Sequence, residues 1–153
     1  LQQVSGRAGR FRDDGLVIIQ TTQPLAPAIR HASMNDLEEF YRIELQNRRA
    51  TLFPPYSRLI NLTIRGKNEA KVQQEANLLE SIAYELEEKY NDVEVFSASP
   101  CLIEKQAMNY RYHVLLRCSN MALLLHFTRE LLSRYKAPSA MYLEIDVDPQ
   151  ALL

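Results

Sequence analysis

Tryptophan is absent from this chain of 153 residues; glycine occurs four times, histidine three times and cysteine twice. Cys101 and Cys118 form no C-x-x-C pair, which excludes a thiolate zinc site and gives no disulfide framework. His31, His113 and His126 keep no metal-ligand spacing with each other or with the cysteines. No apolar run approaches membrane-spanning length and no signal peptide is present, so a cytoplasmic protein is expected. The G-x-x-x-x-G-K-[ST] phosphate loop is missing as well, so the chain is not expected to hydrolyse ATP alone. A formal charge of −1 provides no global field toward nucleic acid, so any such contact has to be a local patch.

What remains is ordinary globular material, with 46% apolar and 24% charged residues. The length fits one domain plus an appendage. Glycine is concentrated at the start, at Gly6, Gly9 and Gly15. There it carries the string Gln3-Val4-Ser5-Gly6-Arg7-Ala8-Gly9-Arg10. Arginine presents a planar fork that grips phosphate from two sides, and the glycines let the backbone approach a ligand closely. Arg7 and Arg10, held rigidly, are suited to neutralise charge on a γ-phosphate; the plainer reading is a solvated basic turn.

Further along, the apolar run 16–20 reads as a buried strand and 27–33 as a short helix opened by Pro27. Asn35 with Glu38 reads as a capping box, with Asn35 as N-cap of a helix over 36–50. Pro54-Pro55, flanked by Phe53 and Tyr56, reads as a stiff joint. Beyond it Ile60, Leu62 and Ile64 alternate with Asn61, Thr63 and Arg65, a half-buried strand. Asn68 caps an amphipathic helix over 69–90, and 93–96 is a second strand. Residues 97–109 are polar, contain Pro100 and read as a long loop. A strand over 110–118, a helix capped by Asn120, and a last strand carrying Leu143, Ile145 and Val147 complete the chain. The order strand, helix, strand, strand, helix, strand predicts an α+β, ferredoxin-like βαββαβ sandwich. Its helices cover one face of a four-stranded antiparallel sheet, and Asn61, Thr63, Arg65, Arg111, His113, Arg117, Glu144 and Asp146 lie on the other.

The string Gln-x-x-Gly-Arg-x-Gly-Arg resembles motif VI of superfamily-two helicases. With Asp13-Asp14-Gly15 and the strand after it, it resembles the PriA family of primosomal replication helicases, and the likeness continues to the C-terminus. The motifs include Phe53-Pro54-Pro55-Tyr56 and Ile145-Asp146-Val147-Asp148-Pro149. Starting inside a motif at Leu1 fits a piece of a longer protein. The resemblance implies that residues 1–57 end a RecA-like helicase lobe and that 58–153 form a C-terminal domain that binds DNA and proteins. It implies an ATP-dependent DNA helicase that recognises stalled forks and initiates primosome assembly. Arg7 and Arg10 would be its arginine finger, with Gln3 and Gly6 at the nucleotide. ATP and magnesium would act in the parent, and zinc would be held upstream of this chain. The implied partners are branched and single-stranded DNA, single-stranded DNA-binding protein and other primosome proteins.

Within the C-terminal part, Arg65, Lys67, Lys105, Arg111, His113 and Arg117 form a candidate basic patch for a DNA backbone, in which Lys105 and Arg111, with Tyr110, are the expected DNA contacts. The family usually carries an arginine-rich, glycine-containing loop here, from which Gln106-Ala107-Met108-Asn109 departs. For Arg65 and Arg117, cross-strand pairing with Glu144 and Asp146 competes with a DNA role. Three further readings compete: an RNA-recognition sheet, which lacks alternating aromatics on the third strand; a magnesium pair at Asp146 and Asp148; and a standalone protein-interaction scaffold.

Overall fold

The computed structural model describes residues 16–150. The chain divides after Thr51 into two compact units, each taken by itself here. Gln3, Gly6, Arg7 and Arg10 lie outside the described residues, so the arginine-finger reading has no structural counterpart here.

The first unit contains helices α1 (Pro27–Ser33) and α2 (Leu37–Ala50). Asn35 does not cap α2. It takes a left-handed φ of 55° just past the end of α1, a conformation asparagine tolerates at helix C-termini. The cap falls to Asp36, whose carboxylate accepts from the Glu39 N–H at 3.2 Å. The buried strand expected over 16–20 is also corrected. These residues form no strand, and Leu16 and Ile18 are 81% and 83% exposed. A strand needs a neighbour for its backbone groups, and none of the described residues supplies one.

The second unit carries strand β1 (Arg58–Gly66), helix α3 (Glu69–Glu87), strands β2 (Val93–Val95), β3 (Ser99–Gln106) and β4 (Asn109–Cys118), helix α4 (Met121–Arg134) and strand β5 (Tyr142–Val147). The sheet order is β2-β4-β1-β5, with β3 also paired to β4 and all pairings antiparallel. The α+β sandwich holds, with one strand more than the four expected. Residues 97–109 are mostly not a loop. β3 pairs Ser99 with His113 and Lys105 with Tyr110, and a register shift between Pro100 and Lys105 takes up the extra residues. Pro100 fits because it sits at the start of the strand, next to this irregularity.

Local chemistry sets the helix starts. Asn68 Oδ1 accepts from the Lys71 N–H at 3.1 Å, and Asn120 Oδ1 accepts from Ala122 at 2.9 Å and Leu123 at 3.2 Å. Ile60, Leu62 and Ile64 of β1 meet Val72, Ala76, Leu79 and Ala83 of α3 and Leu124, Phe127 and Leu131 of α4 in one core. The ring of Tyr90 packs edge-on to that of Phe127, centroids 5.3 Å apart. On the other face, Asn61 and Thr63 are buried rather than solvated.

A candidate nucleic-acid interface at one end of the sheet

Most arginines on the sheet are already engaged. Arg58 donates to Asp148 at 2.8 Å, and Arg65 pairs with Glu144 and lies over the Tyr142 ring, 4.6 Å from its centroid. Arg117 pairs with Glu94 through Nε at 2.9 Å, and its guanidinium lies 4.9 Å from the Phe96 ring centroid. Pairing therefore holds for Arg65 and Arg117, although the partner of Arg117 is Glu94 rather than an acid of the last strand. The RNA-recognition reading loses Tyr142, its one edge aromatic, to the Arg65 stack. The magnesium reading fares no better: Asp148 accepts from Arg58 and, at 3.3 Å, from the Leu59 N–H. No cluster of three or more metal-ligating side chains occurs among the described residues.

Cations without a carboxylate partner among the described residues collect where β1 ends and the β3–β4 hairpin turns. Gly66 leaves β1 opposite Tyr110. A side chain at Gly66 would put its Cβ 3.1 Å from Val72 and 3.2 Å from Met141, tight enough that these two side chains would have to shift. Lys67 follows at once, and Lys71 lies one turn into α3 beside the Asn68 cap. Both lysines line an open cavity of about 360 Å³ with Asn68, Asn109 and residues 139–142. Lys67, Asn68 and Tyr110 share an adjoining depression, where Glu69 is the one acid.

Lys105 joins the cluster from the hairpin. It is the register partner of Tyr110, its Nζ sits 4.6 Å from that ring's centroid, and it donates to the Tyr110 hydroxyl at 3.3 Å. Two of the three expected DNA contacts are thus brought together. Arg111, one residue on, projects to the opposite face of the sheet, level with Arg65. His113 is next on that side. Its Nε2 lies 3.1 Å from Ser99 Oγ, and burial, then the charge of Arg111, hold its pKa below the ordinary value. Burial likewise pushes the Cys101 thiol up, which suits a packing role rather than a reactive one.

Lys71 and Asn109 were not among the expected contacts. Lys71 is three residues from the helix cap and reads as a solvated helix residue; only the fold brings it beside the hairpin. The spacing Gly66-Lys67-Asn68-x-x-Lys71 was the available signal.

These features define a two-layer ferredoxin-like module with a cationic sheet end. The chain belongs to the family described as "Primosomal protein N C-terminal domain", whose model matches residues 49–150. It is similar to the "Replication restart protein PriA" of Treponema pallidum, 37% identical over 153 residues, covering 100% of this chain and 23% of that protein. The protein of that name from Borreliella burgdorferi is 34% identical, covering 100% and 23%, and that from Bacillus subtilis 31% identical, covering 100% and 19%. The chain thus spans about a quarter or less of the length of these relatives.

Proposed function

We propose that this chain is the C-terminal part of a replication restart protein and that its cationic sheet end holds DNA. The observation that carries the reading is the placement of Lys67 and Lys105 at Tyr110, and of Lys71 beside the neighbouring Asn109, without carboxylate partners among the described residues. Lysines fix a phosphate backbone as point charges, and Tyr110, with Lys105 over its ring and bonded to its hydroxyl, holds one of them in place. Arg111 adds a phosphate contact from the other side of the hairpin.

The parent is read as a cytoplasmic ATP-dependent DNA helicase that recognises stalled forks and starts primosome assembly. In it, Arg7 and Arg10 act as the arginine finger and Gln3 and Gly6 lie at the nucleotide, with magnesium alongside. Zinc belongs to an upstream segment. Single-stranded DNA-binding protein and other primosome proteins are its protein partners. The present chain is read as inactive by itself, since the phosphate cradle lies elsewhere.

Fluorescence anisotropy with forked and single-stranded DNA at low salt tests the reading. Lys67→Ala, Lys71→Ala and Lys105→Ala each weaken binding, while Arg58→Ala, which breaks a pair at the far end of β1, leaves it unchanged. Absence of binding, or equal losses from all four substitutions, would overturn the reading in favour of a protein-interaction scaffold.

A further inference from the structure

We propose that the outer edge of β5 docks an extended segment of a separate protein, one that alternates apolar with basic residues. β5 ends the sheet: it pairs with β1 and has no strand on its other side among the described residues. Its register places Leu143, Ile145 and Val147 on the helix side, opposite Ile64, Leu62 and Ile60. Only Leu143 packs against the core. The helices lie over β1, β2 and β4, and Ile145 and Val147 remain 48% and 44% exposed.

Edge strands are normally blunted by charged side chains, lysine above all, or by proline, a bulge or an inward-pointing charge; on β5 the charges are Glu144 and Asp146, which oppose an acidic partner and not a basic one. Between Tyr142 and Val147 there is no lysine, proline or register shift, and the helix-side positions are all aliphatic. An added strand would receive backbone hydrogen bonds, and its side chains would fall alternately beside Ile145 and Val147 and beside Glu144 and Asp146.

Charge chooses the occupant. Glu144 is held by Arg65, whereas Asp146 has no cation partner among the described residues. A second copy pairing β5 on β5 would set these acids against their own counterparts, and like charges directly opposite are destabilising. A basic residue at the same place complements Asp146.

The test titrates two short synthetic peptides, one alternating valine with lysine and one alternating valine with glutamate, into the isotope-labelled chain. The valine–lysine peptide is expected to shift the amide resonances of Tyr142–Val147 and slow their hydrogen exchange, and the valine–glutamate peptide to do neither. Asp146→Lys, at an exposed position, is expected to invert that preference while leaving DNA binding intact. Shifts located elsewhere, a preference that Asp146→Lys does not invert, or no response to either peptide would overturn the proposal. Sedimentation showing a dimer with β5 protected would assign the edge to a second copy instead. If the complete longer polypeptide does not bind the peptide that this chain binds, the edge is covered within one molecule, and the separate partner is likewise excluded.

Discussion

Glu130 shows how much a single side chain can gather. Its carboxylate accepts from the Tyr90 hydroxyl at 2.5 Å, from Lys89 at 2.9 Å and from Arg134 at 2.7 Å, tying α4 to the end of α3. The Tyr90 bond, then that of Lys89, with Arg134 adding to them against a partial cost of burial, holds its pKa at about 2, below the ordinary 4.5. A carboxyl depressed in the fold contributes stability that is present above 4.5 and lost as pH falls from there toward about 2. Glu130→Gln should therefore flatten the acid limb of a Tm-against-pH curve in that window; an unchanged limb would contradict the assignment. His113 gives a second window. Its folded pKa lies below the ordinary 6.5, so the unfolded chain binds the proton more readily and stability falls as pH drops below 6.5. His113→Gln should remove that loss, read from the same melting curves. At this scale the sequence was informative where chemistry is local, as with the caps Asn68 and Asn120. Asn35 misled because asparagine suits both a helix start and a left-handed helix end, and only the backbone path chooses between them.

Among the elements, the β3–β4 hairpin carries the most backbone strain. Its two-residue turn places Ala107 at φ 47° and Met108 at φ 64°, left-handed conformations that Asn-Gly would occupy more easily. Replacing Ala107 by Asn together with Met108 by Gly should stabilise the chain by about 1 kcal/mol or more, measured by urea unfolding. A loss of stability would show that the two side chains make compensating contacts. The helices answer to packing instead: Leu79→Ala on α3 should cost about 2–5 kcal/mol, because the site is fully buried. Periodicity made β1, α3, β4, α4 and β5 legible, since each has an apolar face of its own. β3 was read as a loop because it lacks such a face and exists through its pairing with β4 across a register shift. The run 16–20 shows the reverse: an apolar segment resembles a strand yet forms none, and no neighbour for it lies among the described residues.

For the whole molecule, a net charge of −1 hides an uneven distribution. Acids neutralise Arg58, Arg65 and Arg117 along the sheet, while Lys67, Lys71 and Lys105 at its end have no carboxylate partner among the described residues. Composition cannot show this division. It depends on which charges the antiparallel register sets side by side, which is also why Arg111 parts from Lys105 and Tyr110. Apart from β3, the order of elements in the second unit was legible in the sequence, as was the family; the geometry of the site required the fold.

The salt dependence of DNA binding tests this account most directly. If Lys67, Lys71, Lys105 and Arg111 each meet a phosphate of duplex DNA, the logarithm of the binding constant should fall with the logarithm of salt concentration at a slope of about −3 to −4. Replacing all four by alanine should bring that slope close to zero. A substituted chain that binds with the original slope would contradict the assignment of the cationic sheet end as the DNA contact.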